Sequence, residues 1–223
     1  PMVWAWKNQR AATLGSLAAH IAVIFPFEVP WFAAYRAPVS FVGNPTVEEL
    51  ARAGYFSAMD RVHPGATKGF HLAIVPGSRR QEVEHCLPRM LEAYALLRKR
   101  FPHLRATVSR VAALPQSLYR DALRDESVAL VGGPLPDLFA RADLALVTSG
   151  TATLEAALLG VPHVIAYHTS AATYAIARRL IRIRHIGLPN IIAGGEIVPE
   201  CIQSGADGAN LAHTLERFIE SPR

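Results

Sequence analysis

Short apolar runs separated by longer amphipathic stretches set the rhythm of this chain. His71–Val75, Leu104–Ser109, Ser127–Val131, Asp143–Thr148 and Pro162–Tyr167 are rich in apolar residues without strict polar alternation. That is the pattern of parallel strands covered on both faces. Between them, Leu87, Met90, Leu91, Tyr94 and Leu97 fall on one helical stripe that runs into Arg98, Lys99 and Arg100, a charge suited to a helix C-terminus. Pro88 is then expected in the first turn of that helix or at a kink. Upstream, Met2–Trp6, Ile21–Phe25 and Val39–Val42 read as strands, with a helix over Lys7–Ala19 and a turn at Phe25–Glu28. Alternating units of this kind predict a doubly wound α/β fold whose ligands gather at the C-terminal ends of the strands.

The mixed polar segment Asn44–Lys68, with Pro45, Gly54, Pro64 and Gly65, reads as a connection between two domains. It divides the chain into residues 1–45, the end of an N-terminal domain, and residues 46–223, a larger α/β domain. The start at Pro1, in strand-like sequence, leads us to expect a fragment of a longer protein. No repeat or low-complexity tract is visible in the sequence.

Composition narrows the function classes. An apolar share of 51% and a charged share of 18% are those of a globular chain with a substantial core. The most apolar stretches, such as Leu144–Val147 and Val161–Tyr167, fall short of the ~20 residues that span a bilayer, so membrane contact is expected to be peripheral. A formal charge of +5 favours anionic partners: nucleic acid, anionic lipid or phosphorylated small molecules. Cys86 and Cys201 lie far apart without C-x-x-C or His pairing, which suggests neither a disulfide framework nor a zinc site and fits a reducing cytoplasm. His63, His71, His103, His163, His168 and His185 show no ligand spacing, so no metal is expected.

Three segments could carry chemistry. Pro76-Gly77-Ser78-Arg79-Arg80 joins a strand to a helix: Gly77 permits close backbone approach, Ser78 is placed to cap, and free N–H groups with Arg79 suit an anion. The same residues also describe a plain capped helix with two solvated arginines. Thr148-Ser149-Gly150-Thr151-Ala152-Thr153-Leu154-Glu155 repeats the arrangement. Ser149, Gly150 and Thr151 suit a diphosphate, and Glu155, one turn beyond Thr151, suits a ribose diol. Here too a cap at Ser149 or Thr151 and a helix-start acid at Glu155 are the plainer account. Gly187-Leu188-Pro189-Asn190 reads as a turn. G-x-G-x-x-G and G-x-x-x-x-G-K-[ST] are both missing from the sequence, which removes the usual NAD and ATP signatures. Arg178, Arg179, Arg182 and Arg184 alternate with Ile176, Leu180, Ile181 and Ile183, either a solvated basic face or a surface for anionic lipid.

Taken in order, these segments resemble the lipid-A-disaccharide synthase family. The matching stretches are Val3-Trp4-Ala5-Trp6 with Lys7 and Arg10, Phe25-Pro26-Phe27-Glu28, Phe41-Val42-Gly43, Val75-Pro76-Gly77-Ser78-Arg79 with Glu82-Val83, Thr148 through Glu155, Tyr174 through Leu180, and Leu188-Pro189-Asn190 with Ala193-Gly194. Agreement runs from Val3 to about Glu200. The resemblance implies a two-domain GT-B glycosyltransferase of the cytoplasmic face of the bacterial inner membrane. Such an enzyme joins UDP-2,3-diacylglucosamine to 2,3-diacylglucosamine 1-phosphate with inversion and releases UDP, using no metal or other cofactor. Residues 1–45 would be the remnant of the acceptor and catalytic domain, and residues 46–223 the UDP-sugar-binding domain, incomplete at its C-terminus. Ser78 and Arg79 would face the diphosphate, Ser149, Gly150 and Thr151 would line the nucleotide pocket, Glu155 would hold the ribose and Asn190 would sit near the donor sugar. The general base would lie in N-terminal sequence outside this chain, so the chain alone is expected to be inactive, and a homodimer is expected at full length. Asn44, His168 and Gly195 depart from the family pattern, each weakening a phosphate or sugar contact.

Two other readings stay open on the residues themselves. Another GT-B enzyme using a UDP-sugar, of peptidoglycan-transferase or epimerase type, would share the helix start and the ribose carboxylate. A basic nucleic-acid-binding module would instead show steeply salt-dependent binding to any duplex.

Overall fold

The computed structural model describes residues 9–58, 69–123, 127–180 and 183–220. Two parallel sheets organise them. The first pairs β1 (Ile21–Val23) with β2 (Val39–Phe41). Around it pack α1 (Gln9–Leu17) and α2 (Glu28–Ala33), with Ala11, Ile21, Val23, Phe32 and Ala37 forming a small core. The expected turn at Phe25–Glu28 leads into α2, where the buried Glu28 carboxylate accepts the Phe25 N–H at 3.1 Å. The expected strand Met2–Trp6 and the start of the expected Lys7–Ala19 helix lie outside the described residues.

The second sheet has six parallel strands: β3 (His71–Val75), β4 (Arg105–Ser109), β5 (Val128–Val131), β6 (Leu144–Thr148), β7 (His163–Tyr167) and β8 (Glu200–Ile202). Their order is β5-β4-β3-β6-β7-β8. The first five match the apolar runs of the sequence; β8 is an edge strand too short to leave such a run. The chain winds outward from β3 through β4 to β5, then returns to lay β6 on the other flank of β3 and continues to β8. The strand order therefore reverses between β3 and β6, and that crevice is where an open α/β sheet binds its ligand.

Period-two geometry explains the double coverage. Leu72, Ile74, Leu144 and Leu146 enter one core with Val83, Leu87, Met90, Tyr94 and Leu97 of α4 (Arg80–Arg100). Ala73, Val75, Ala145 and Val147 enter the opposite core with Leu138 and Phe139 of α6 (Leu135–Phe139) and Ala156 of α7 (Thr151–Leu158). Each large apolar side chain so buried contributes about 1.5–3 kcal/mol. Between α4 and α6 lies the short α5 (Ser117–Arg120). After β7 come α8 (Ala171–Leu180), α9 (Leu188–Ala193) and α10 (Gly208–Glu220). The last lies along α4, where Arg100 meets Glu216 and Glu220.

Of the two places expected for Pro88, the first turn is corrected: α4 begins at Arg80, immediately after the short loop from β3, and Pro88 lies inside it. Pro88 and Glu84, whose carbonyl loses its helical donor, are both exposed, so water can take up the missing bond. The segment Asn44–Lys68, expected to connect two domains, begins with α3 (Pro45–Arg52), capped by Asn44, whose Oδ1 accepts the Thr46 N–H at 3.0 Å. Leu50 of α3 is buried in the core against α7, and a 3-10 turn follows at Tyr55–Ala58. The rest of that segment lies outside the described residues.

Candidate functional site

Register alone brings the two suspected motifs together. Val75 pairs with Val147 at the last rungs of β3 and β6, so the loops that leave these strands rise side by side at the reversal of strand order. Gly77, in the loop after β3, has φ +105°, and a Cβ there would come within 2.5 Å of Glu82. The reason is that Glu82 folds back over the loop. Its Oε2 accepts the N–H groups of Ser78 at 2.9 Å and Arg79 at 3.1 Å, while Oε1 accepts from the Arg79 guanidinium at 2.7 Å. Ser78 is therefore not the cap expected from sequence: Arg79 holds that position and Glu82 supplies the acceptor. Arg79 keeps its side chain 81% exposed, with its remaining N–H groups turned to solvent beside the crevice.

The loop after β6 is open. Gly150 caps α7 with extended backbone and no side-chain bond, and the N–H groups of Gly150, Thr151 and Ala152 have no acceptor among the described residues. Thr151 is exposed. Ser149 is tied down, since its hydroxyl donates to the Ile186 carbonyl at 2.8 Å. It can accept a further bond, but its proton is committed. Thr153 likewise turns its hydroxyl inward to the Gly150 carbonyl at 2.8 Å.

One turn into α7, Glu155 is half-buried and receives no hydrogen bond on its carboxylate from the described residues. Burial, and secondarily the charge of Glu49 on α3, push it above the ordinary carboxylate range. A half-buried carboxylate with no protein donor among the described residues has acceptor capacity to spare.

Asn190 stands apart from this open surface. It is fully buried on α9. Its Nδ2 donates to the Val198 carbonyl at 2.7 Å and to Glu200 Oε1 at 2.8 Å, while Oδ1 accepts the N–H groups of Ile197 at 2.8 Å and Val198 at 2.9 Å. Those bonds exhaust the amide. What Asn190 holds is the turn at Ile197–Val198 and the Glu200 carboxylate, and it is Glu200 that reaches the loop anchoring Ser149, accepting from Ile186 at 3.0 Å and Gly187 at 2.9 Å.

Glu82 and Glu200 are the organising residues that the sequence reading passed over. Glu82 had a signal, an acid at the third position of a helix. Glu200 had a weaker one, a lone acid between Val198 and Cys201 in an apolar stretch. Of the departures noted above, Asn44 caps α3 and Gly195 donates its N–H to the Asn190 carbonyl at 3.1 Å. His168 follows β7, with Nδ1 buried and without a partner among the described residues. Among the described residues no group of three or more His, Cys, Asp and Glu could hold a metal, and no helix is long and apolar enough to cross a membrane.

The fold has solved counterparts. The UDP co-structure of MnaA from S. aureus superposes with TM-score 0.60 at 12% identity, covering 93% of this chain and 54% of that one. UDP-GlcNAc 2-epimerase from Methanocaldococcus jannaschii, in complex with UDP-GlcNAc and UDP, gives TM-score 0.57 at 13% identity, covering 92% and 56%. Together with the six-stranded parallel sheet, these likenesses make the fold GT-B type. Sequence reaches further. Lipid-A-disaccharide synthase of Geobacter sulfurreducens is 36% identical over 229 residues, matching 100% of this chain, and that of Chromobacterium violaceum is 36% identical over 224 residues, matching 98%. The chain spans 58% of the length of each of these relatives. The profile described as Lipid-A-disaccharide synthetase matches residues 1–221, and the chain belongs to that family.

Proposed function

We propose that this chain carries the nucleotide-sugar donor site of a lipid-A-disaccharide synthase. The whole enzyme is an inverting hexosyltransferase that joins UDP-2,3-diacylglucosamine to 2,3-diacylglucosamine 1-phosphate, forming lipid A disaccharide 1-phosphate and UDP. The observation that carries the reading is the convergence, where the strand order reverses, of the Arg79 guanidinium, the unpaired amides of Gly150 and Thr151, and the donor-starved Glu155. The diphosphate lies between Ser78-Arg79 and Ser149-Gly150-Thr151, and the ribose diol donates to Glu155. Donors fixed before the sugar is transferred stabilise the charge that gathers on departing UDP. Asn190 takes part from behind, by holding Glu200, whose carboxylate accepts the Ile186 and Gly187 amides of the loop that bonds Ser149. Residues 1–45 belong to the acceptor side and residues 46–223 to the donor domain.

The first test is calorimetric titration of UDP into this chain, with UMP and ADP in parallel. Uridine-selective binding that weakens about tenfold or more in Glu155→Ala supports the reading; an ADP affinity equal to that of UDP sinks it. The chain by itself is expected to give no turnover, because the general base lies in sequence outside it.

Membrane association follows from α8. Ile176 is 61% exposed, and Arg178 and Arg179 stand exposed beside it, an apolar and cationic surface of the kind that meets anionic headgroups. Arg182 lies outside the described residues. Co-sedimentation with vesicles containing phosphatidylglycerol is expected to fall several-fold in Arg178→Glu/Arg179→Glu; unchanged binding removes α8 from the membrane surface.

A further inference from the structure

On the β7 flank of the crevice two imidazoles and a guanidinium have no role in the donor site described above. His85 and Arg89 lie one turn apart on α4, and His168 follows β7. The rings of His85 and His168 are 5.6 Å apart between centroids and tilted by 40°. Arg89 donates to the His85 carbonyl at 2.6 Å, which holds the guanidinium against the helix. Nδ1 of His168 is buried without a partner among the described residues.

Among the described residues no carboxylate pairs with His85, Arg89 or His168. Glu82, one turn before His85, is already occupied by the Ser78 and Arg79 amides and the Arg79 guanidinium. The Cys86 thiol faces the His168 carbonyl at 3.7 Å and is pushed up by burial, so it stays uncharged. Tyr167, raised by burial and by Glu82, is neutral as well, with Arg79 the nearby cation. On the side of β8, uncharged Gln203 clasps the Thr169 backbone at 2.8 and 3.1 Å. His168 is held below the ordinary histidine range by burial, then by Arg89 and His85, so without a ligand it is neutral near pH 7. Two imidazoles in ring contact, with a guanidinium near enough to lower one of them, suit an anion, and a phosphoryl group supplies both charge and acceptors.

We propose that His85, Arg89 and His168 form a proton-coupled phosphoryl subsite, in which one imidazole takes a proton from solvent as the anion binds. The subsite rests on the donor-site reading only for the name of its ligand. The phosphoryl group could be that of the nucleotide diphosphate or of a second, phosphorylated sugar.

The experiment is calorimetry of this chain at pH 6.5 and 7.5, each in two buffers of different ionisation enthalpy, with UDP, UMP and glucosamine 1-phosphate as probes. Wild type, His85→Gln, His168→Gln and His168→Lys are compared, so that failure of one variant to fold leaves the others. The ligand's own ionisation is common to all four proteins and cancels. Wild type is expected to take up more protons than either Gln variant and to bind several-fold more tightly at the lower pH, where one coupled proton allows at most about tenfold per pH unit. His168→Lys is expected to bind tightly with a flatter pH dependence. Linkage with UDP but not UMP assigns the β-phosphate, linkage with both assigns the α-phosphate, and linkage with glucosamine 1-phosphate alone assigns a separate phosphorylated sugar. UDP binding with equal proton uptake in all four proteins overturns the subsite and leaves the donor site standing. Glucosamine 1-phosphate binding with His168-dependent uptake, while UDP fails to bind, supports the subsite and removes the donor reading. Binding of none of the probes overturns both.

Discussion

Asn190→Asp changes one buried atom from a donor to an acceptor while leaving volume and shape almost untouched. The wild-type amide nitrogen lies 2.8 Å from Glu200 Oε1, so the introduced carboxyl would face that carboxylate at contact. If both ionise, charges about 4 Å apart at an effective dielectric near 20 repel by about 4 kcal/mol. If the pair keeps a proton instead, holding it at pH 7 on a carboxyl of ordinary pKa near 3.9 costs about 4 kcal/mol as well. The two limits agree, so a loss of about 4 kcal/mol is expected at pH 7. The sign with pH follows from linkage. The folded variant holds a proton that the unfolded chain has released above about pH 4, so its deficit grows as pH rises and shrinks by about 2.7 kcal/mol between pH 7 and 5. Urea unfolding of both proteins at the two pH values measures this directly. A variant within 1 kcal/mol of wild type at pH 7, or a deficit that does not shrink at pH 5, would refute the account of Asn190 as a saturated staple.

The remaining predictions use the same geometry. Arg79→Lys keeps the charge but loses the planar fork, and is expected to weaken UDP about tenfold by calorimetry. Arg80→Lys, whose wild-type guanidinium pairs with Glu84 on the exposed face of α4, is expected to leave UDP affinity unchanged. Near the start of β7, His163 is buried, with Nδ1 bonded to the Val161 carbonyl at 2.8 Å and Nε2 unpartnered. Burial lowers its pKa, so the unfolded chain binds the proton first, and stability is lost as pH falls below about 6.5. Thermal midpoints from pH 7.5 to 5.5 should fall more steeply in wild type than in His163→Gln, and parallel slopes would remove His163 as a contributor.

How much of this was legible in sequence depends on how locally each feature is encoded. The apolar runs from β3 to β7 matched their strands within a residue or two, because a doubly covered parallel strand must be apolar throughout. The loops after β3 and β6 were visible as Gly-Ser and Ser-Gly-Thr motifs at strand ends. Their neighbourhood was not, because strand order is a tertiary choice that no run of residues records. Helix starts were misjudged where a side chain from inside the helix did the capping: Ser78 looked like the cap, yet Glu82 reached back to close the loop. Asn190 misled differently. A Pro-Asn turn suggests a surface amide, and only packing shows it sealed by Val198 and Glu200, eight and ten residues on.

The carboxylates around the crevice divide by what they have already been given. Glu82 takes two backbone amides and a guanidinium, and Glu200 takes the Ile186 and Gly187 amides with the Asn190 side chain. Both are satisfied within the fold, and in being satisfied they fix the loop that aims Arg79 and the loop that anchors Ser149. Glu155 receives no donor from the described residues and is held above its ordinary range by burial and by Glu49. A half-buried acceptor without protein donors is the one of the three that a ligand's hydroxyl groups would still stabilise. The same logic separates the loops. The amides at the start of α4 are partly consumed, so its anion affinity rests on Arg79, whereas the amides at the start of α7 remain free. A diphosphate laid across the crevice would therefore meet a guanidinium on one side and backbone donors on the other, with the diol end reaching Glu155. Substitutions at Arg79 and Glu155 should accordingly act on UDP affinity with little effect on stability. Those at Glu200 and Asn190 should do the reverse, since what they hold is the scaffold.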